Sequence, residues 1–392
     1  MRYALVLAVA LLALPAAGPA TTAAPANDDF ADAVDLSAID PERGVVRGIN
    51  LNATKEVDEP DHAGNAGGRS VWYTWTAPGD GSIPNVAFTT GFPDFDTLLA
   101  VYTGPSVDAL VEVASNDDEP GSFIGSSVSF ATDPGETYRI AVDGFGGKNG
   151  RFSLAWRPAP PNDNLADAIA LAGAAGKRTG DSSAGATAEH GEEVLFTSIT
   201  VWYSWQPPAD GTYKLDTFGS RFDTVLAVYV GSSYEDLELI DANDDDPDRG
   251  CCSSWVPLVG ASATTTYLIQ VSALTEDGGP LTLNWGPLIL GTNGPDLLEG
   301  TPGAEEIRGR GGRDRIFGRG GDDLIFGGRG NDLLDGGVGA DVLFDHTGLD
   351  VLRGRGGNDR LDARDGRRGD VLVGGGGNDV CRADRGDTRR SC

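Results

Sequence analysis

From Gly291 to about Arg382 the chain repeats itself every nine residues, and so strict a register leaves few folds open. Written in nines it reads GTNGPDLLE, GTPGAEEIR, GRGGRDRIF, GRGGDDLIF, GGRGNDLLD, GGVGADVLF, DHTGLDVLR and GRGGNDRLD, then an eleven-residue step, ARDGRRGDVLV, and a last GGGGNDVCR. The unit is G-G-x-G-x-D-x-U-x, with U a large apolar residue. Glycines at positions one, two and four let the backbone turn with positive φ and free its carbonyls to point inward. Position six supplies a carboxylate at Asp296, Asp314, Asp323, Asp332, Asp341, Asp350 and Asp359, and again at Asp370 and Asp379. Position eight supplies a core, at Leu298, Ile307, Ile316, Ile325, Leu334, Leu343, Leu352, Leu361 and Leu372.

This pattern resembles the haemolysin-type (RTX) calcium-binding nonapeptide repeat. The resemblance implies a parallel β-roll, two nonapeptides to a turn, with a short strand from each unit and a glycine-rich loop between strands. Carboxylates eighteen residues apart then stack across adjacent turns, pairing Asp314 with Asp332, Asp323 with Asp341, Asp332 with Asp350 and Asp341 with Asp359, each completed by loop carbonyls. Oxygen-rich, flexible ligation suits Ca²⁺ better than Mg²⁺, which demands tighter octahedral geometry. Neither thiolate nor imidazole stands at position six to suit a transition metal. The nine regular apolar residues argue against the disordered tail that Gly/Asp composition alone would permit.

The flaws in the array predict its ends. Thr292 at position two and Glu305 in place of Asp give the first turn the look of a cap, as terminal repeats usually have. The seventh unit opens on Asp345 and His346 instead of two glycines. The two-residue insertion between Asp359 and Asp379 breaks the spacing, so weaker or missing sites are expected beyond Asp359.

At 392 residues the chain has room for two or three domains. It begins Met1-Arg2, continues with an apolar run from Ala4 to Leu14, and reaches small residues and Pro through Ala26. That is the pattern of a secretory signal peptide, residues 1–26, cut after Ala20 or Ala26, and the run is too short to cross a bilayer. The mature protein is therefore expected to be secreted and extracellular. The net charge is −29, and from Gly291 onward 16 Arg face 19 acids, a balance of −3, which leaves −26 for residues 1–290. So acidic a surface disfavours nucleic acid and anionic membranes as partners. Four cysteines in an exported chain suggest two disulfides. Cys381 with Cys392 would pin the end of the roll, Cys251 and Cys252 are adjacent, and three pairings remain open.

Residues 27–290 hold a slower repeat. Asn27-Asp28-Asp29-Phe30-Ala31-Asp32-Ala33 returns as Asn162-Asp163-Asn164-Leu165-Ala166-Asp167-Ala168, Val71 to Trp75 as Val201 to Trp205, Phe95 to Tyr102 as Phe222 to Tyr229, and Asn116 to Asp118 as Asn243 to Asp245. Two copies of one domain are expected, 27–157 and 162–286, joined at the Pro-rich Arg157 to Pro161 and followed by the roll, 291–382, and a cap, 383–392. Short apolar runs between Gly, Pro, Asp and Asn clusters read as β-sandwiches. Only Ala31 to Leu36 and Leu165 to Leu171 hint at a short helix. The order of motifs is similar to the pre-peptidase C-terminal type of β-sandwich. The whole chain is thus expected to be all-β: two tandem β-sandwich domains followed by a parallel β-roll.

Two features of the copies invite a ligand. Asp96 with Asn116, Asp117 and Asp118, mirrored by Asp223 with Asn243, Asp244 and Asp245, suits a loop calcium site or ordinary Asx turns. Strand alternation sets Trp72 apart from Val71, Tyr73 and Trp75, on the polar face, where it and Trp202 could serve as platforms for a glycan or another apolar surface, unless a loop covers them. Catalytic constellations are missing from the sequence: His62, His190 and His346 lie in different segments, and there is no H-E-x-x-H. Gly180-Asp181-Ser182-Ser183-Ala184-Gly185 lacks supporting residues. The expectation is a secreted, non-enzymatic calcium-binding protein whose repeats order when they meet calcium outside the cell, in a structural or adhesive role. A carbohydrate-binding accessory protein acting through the sandwiches, or less readily a secreted hydrolase, stands as the alternative.

Overall fold

The computed structural model describes residues 23–118, 124–188, 192, 199–246, 252–274, 278–345 and 347–392. Most of the expected signal peptide, together with His190, Cys251 and His346, lies outside them. Among the described residues the regular structure is strand and short 3-10 turns, and no helix is long and apolar enough to cross a membrane. The two segments that hinted at helix form 3-10 turns, Phe30–Asp32 and Leu165–Asp167, each followed by a short strand.

The two copies share one topology. In the first, a five-stranded sheet runs in the order Val34–Asp35, Val71–Thr76, Thr137–Gly144, Thr97–Thr103, Val111–Asn116, and packs on a four-stranded sheet of Gly44–Ile49, Arg151–Pro158, Asn85–Gly91 and Ser127–Ala131. The second repeats this with Ile169–Leu171, Thr200–Trp205, Tyr267–Ala273, Thr224–Val230 and Glu238–Asn243 over Gly176–Ser182, Pro280–Leu290, Gly211–Asp216 and Trp255–Ala261. Alternation along Val71–Thr76 places Val71, Tyr73 and Trp75 in the inter-sheet core, as the period of two requires.

The strand Pro280–Leu290 does two jobs. Its first part pairs antiparallel with Gly176–Ser182 and Gly211–Asp216 inside the second sandwich. Its last three residues, Leu288 to Leu290, pair in parallel with Glu306 to Arg308, the first strand of one face of the roll. One nine-stranded sheet therefore runs unbroken from sandwich into roll.

The roll has two parallel faces, one continuing through Leu324–Phe326, Val342–Phe344, Arg360–Ala363 and Val380–Ala383, the other built of Leu297–Glu299, Arg315–Phe317, Leu333–Val338, Val351–Gly356, Val371–Gly376 and Thr388–Arg390. Partners are eighteen residues apart, as Ile307 to Ile325 and Leu334 to Leu352 show. Position eight fills the interior: Ile307, Ile316, Ile325, Leu334, Leu343, Leu352, Leu361 and Leu372 are fully buried and touch in one cluster. Each such side chain contributes about 1.5–3 kcal/mol by leaving water.

Position four is glycine for a steric reason. Gly330 has φ 150°, and a Cβ built on it would lie 1.5 Å from the carbonyl oxygen of Gly312 in the turn below.

Candidate metal centre

The position-six aspartates form two ladders. The backbone N–H of Asp314 donates to Asp332 Oδ1 at 2.7 Å, Asp332 to Asp350 at 2.9 Å, Asp323 to Asp341 at 2.9 Å and Asp341 to Asp359 at 3.0 Å. All four expected pairs are thus brought together, with one carboxylate oxygen of each residue used to hold the next turn. Asp296 N–H donates to Asp314 and Glu305 N–H to Asp323 in the same way.

The second carboxylate oxygen is left over. Oδ2 of Asp314, Asp323, Asp332, Asp341, Asp359 and Asp370 is buried without a hydrogen-bond partner among the described residues. An orphaned buried acceptor is costly, and an ionised one more so. Its surroundings show what it faces. A Cβ on Gly318 would sit 2.3 Å from Asp323 Oδ2 and 2.5 Å from the Gly336 carbonyl; on Gly354, 2.1 Å from Asp359 Oδ2 and 2.6 Å from the Gly374 carbonyl. Position-one glycine keeps open a small cradle walled by a carboxylate oxygen and a carbonyl oxygen. Burial pushes Asp323 and Asp350 up to about 7 and Asp332 and Asp341 up to about 6, and raises Asp314, Asp359 and Asp370. Hard, anionic and carbonyl oxygens facing one space, with nothing softer among the described residues there, fit Ca²⁺.

The family model for the RTX calcium-binding nonapeptide repeat (4 copies) matches residues 299–334, 335–369 and 365–389. The C-terminal region is an RTX array. No curated protein matches the chain. Among solved structures it is similar to the CUB1-EGF-CUB2 domains of rat MASP-1, at 10% identity over 62% of this chain and 97% of that one, with a TM-score of 0.17. It is also similar to a putative uncharacterized protein from Burkholderia cenocepacia, at 9% identity over 62% and 81%, with a TM-score of 0.20. At such TM-scores neither likeness bears on fold or activity.

The departures of the RTX array from its own consensus each have a local consequence. At the first turn Asp296 Oδ2 accepts from Thr292 N–H at 2.6 Å and from Thr292 Oγ1 at 3.0 Å, and Glu305 is held in the same way by Thr301. These hydroxyls occupy the carboxylates, so the first turn closes on itself. The two-residue insertion is absorbed in the loop before Asp370: Asp350 N–H still donates to Asp370 and Asp359 N–H to Asp379, each at 2.9 Å and now twenty residues apart. The expected break beyond Asp359 is therefore not a break in the ladder, because a loop can lengthen while strands keep register. At the far end the Cys381–Cys392 disulfide forms as expected. It holds the tail so that the Ser391 carbonyl walls the Gly374 cradle opposite Asp379 Oδ2, where the next glycine would have stood.

Asp345 is the residue that the repeat pattern marked only as a flaw. Buried at position one of its unit, it brings a carboxylate within 4.8 Å of those of Asp332 and Asp350, and its Oδ2 takes the space over Gly327 where other turns present a carbonyl. This cradle has three carboxylates. The signal was a carboxylate at a position that every other nine-residue unit fills with glycine.

The sandwich candidates divide. Carboxylate oxygens of Asp96, Asp117 and Asp118 lie within 4.8 Å of one another, with Lys148 Nζ donating to Asp96 at 3.3 Å. In the second copy burial, followed by the charges of Asp245 and Asp244, raises Asp223, while Asn243 Oδ1 accepts from Asp245 N–H at 2.7 Å in an Asx turn. Trp72 and Trp202 are not platforms. Both are fully buried on the outer sheet face, Trp72 under Phe30, Val107 and Leu110 and Trp202 under Leu165, Tyr234 and Leu237, and His62 packs edge-on against Trp72 at 5.5 Å. Alternation was right about the face and silent about the loops that cover it.

Proposed function

We propose that this is a secreted, non-enzymatic protein in which Asp314, Asp323, Asp332, Asp341, Asp350, Asp359, Asp370 and Asp379 hold calcium, Asp296 is retained by Thr292 as part of the cap, and the ordered array serves a structural or adhesive role. The observation that carries this reading is the column of buried, unpartnered carboxylate oxygens facing open glycine cradles. Calcium would supply the positive charge that lets the stacked carboxylates coexist. What the chain itself does is pre-set the spacing: the Oδ1 oxygens lock the turns, Oδ2 of Asp314, Asp323, Asp332, Asp341, Asp359 and Asp370 is left for the cation, and glycine keeps the space clear. Without the cation the ladder is a column of like charges on a glycine-rich backbone, which gains little by ordering, so binding and folding are one event.

The division into 1–26 leader, sandwiches at 27–157 and 162–286, roll at 291–382 and cap at 383–392 belongs to the same proposal. The cysteine pair at the end of the roll is in keeping with an oxidising destination. The non-enzymatic reading is supported by His62, which is buried between Tyr102 OH and Glu59 Oε1 at 2.8 Å each, and by Ser182 and Ser183, whose hydroxyls accept from Ala184 and Gly279 N–H. The glycan alternative loses its platforms with the burial of Trp72 and Trp202.

The test is circular dichroism of the full chain titrated with calcium, then with EGTA, with magnesium as control. A cooperative, reversible, calcium-selective gain of β signal is expected; no change at millimolar calcium refutes the proposal.

A further inference from the structure

Where the sandwich sheet becomes the roll sheet, a groove of about 940 Å³ opens, lined on the sandwich side by Lys177, Asn284 and Trp285 and on the roll side by Phe326, Phe344 and Arg360. That volume is near the top of the range that holds small-molecule ligands, about 300–1,000 Å³. We propose that this groove binds a long-chain carboxylate, the aliphatic tail along the Leu324, Phe326, Val342 and Phe344 wall and the carboxylate between Lys177 and Arg360.

Three observations converge on an anion with an aliphatic body. The first is a comparison of the two copies. In the first sandwich Trp156 Nε1 donates to Asp40 O at 2.9 Å and Trp75 Nε1 to Pro41 O at 3.0 Å, both on the loop before Gly44. In the second, Trp205 Nε1 keeps its acceptor, Gly173 O at 3.0 Å, but Trp285 Nε1 has none among the described residues. The loop is the reason: ten positions separate the matching residues Val34 and Gly44, and only seven separate Ile169 and Gly176. Trp285 remains 92% buried, being 8% exposed, and lines the groove at the edge that the shortened loop uncovers. An oxygen acceptor delivered at that edge would satisfy it.

The second observation is charge. In a chain of net charge −29 the groove is lined by Lys177, Lys214, Arg360 and Arg364 against Asp216 and Asp362. Lys214 pairs with Asp216 and Glu306, and Arg364 with Asp362. Lys177 and Arg360 make no ion pair among the described residues, and they stand on opposite walls.

The third is the disposition of the rings. Phe326 and Phe344 stack on each other, centroids 5.4 Å apart and 15° from parallel, with Arg308 over Phe326 at 4.6 Å and Arg360 over Phe344 at 5.8 Å. Their faces are thus engaged within the wall, which Leu324 and Val342 flank. A sugar ring needs an aromatic face to stack on; a flexible methylene chain needs only a continuous apolar strip.

The test is calorimetric titration of the calcium-loaded full chain with monomeric decanoate, alongside decanol and decyltrimethylammonium as neutral and cationic partners of equal length. Saturable binding of decanoate is expected, at least tenfold tighter than either control. Arg360→Gln and Lys177→Gln, both at exposed sites, should each weaken it roughly tenfold, and Phe344→Ala should weaken decanoate and decanol alike. Calcium-induced circular dichroism of each variant shows separately whether the roll has formed, so failure of the groove and failure of the calcium reading are distinguishable. Equal affinity for the cationic control, indifference to both charge substitutions in a folded roll, or binding only to anionic phospholipid vesicles and not to monomeric decanoate overturns the proposal.

Discussion

At the scale of the residue, what matters is that each aspartate of the array has two oxygens with different duties. Asp332 receives the N–H of Asp314, donates its own N–H to Asp350, and shares a cradle with Asp350 and Asp345. Asp379 receives one N–H and faces one cradle at the last turn. Asp332→Ala should therefore raise the calcium midpoint of folding several-fold more than Asp379→Ala; equal shifts in a dichroism titration would contradict the register. The same residues fix a pH dependence. Their folded-state values of about 6 to 7 lie above the ordinary carboxylate value of about 4. The metal-free roll is accordingly most stable below about pH 4 and loses that stability as pH rises through 6 to 7. Protons and calcium compete for one set of oxygens. Acidifying the metal-free protein from pH 8 to pH 5 should increase β signal while moving the calcium midpoint to higher concentration, and a midpoint that stays fixed over that interval would contradict the burial of these groups.

At the scale of the element, the strand Pro280–Leu290 decides how the roll begins. It offers Leu288 to Leu290 as a ready-made first strand, so the roll does not have to nucleate alone, which is the unfavourable step in any repeat array. A fragment starting at residue 287 severs that strand. It should need several-fold more calcium to fold than a fragment starting at residue 162, and coincident calcium titrations of the two would show that the roll nucleates by itself. The other end has its own closure, with Thr388–Arg390 paired to Val371–Val373 and the disulfide fastening the tail. Cys392→Ser should free the Ser391 carbonyl from the last cradle, lowering calcium stoichiometry by one site while leaving the midpoint of the remainder nearly unchanged.

At the scale of the whole molecule, the two sandwiches are an internal control for each other. Among the described residues the second is the one joined to the roll, through the shared strand and a buried cluster in which Arg308 lies over Trp255 at 3.9 Å and bonds Glu306 at 2.6 Å and Asp246 at 3.0 Å, while Lys214 reaches Glu306 at 3.0 Å. Calcium that binds the folded roll should therefore stabilise the second sandwich, by about 2.7 kcal/mol for one site at a hundredfold excess over its dissociation constant, and leave the first where it was. Scanning calorimetry should show one transition moving with calcium and one fixed. In Arg308→Ala, where buried carboxylates lose their cation at a cost of about 3–5 kcal/mol, the two should no longer move together.

The order of amino acids set the roll's period, its interior and the carboxylates that stack, through glycine, aspartate and an apolar residue at fixed places in the nine-residue unit, and its eighteen-residue turn followed from the RTX resemblance. It also determined that the two copies are alike and that Trp72 and Trp75 face opposite ways. What is covered depends on the fold in three dimensions. Trp72 and Trp202 vanish beneath turns that alternation says nothing about, Asp345 becomes a third carboxylate because Gly327 lies beneath it, and the junction groove exists because a loop is three residues shorter and a strand three residues longer than one sandwich needs. Periodicity is a local property of the chain, whereas cover and convergence depend on which distant segments arrive at the same place.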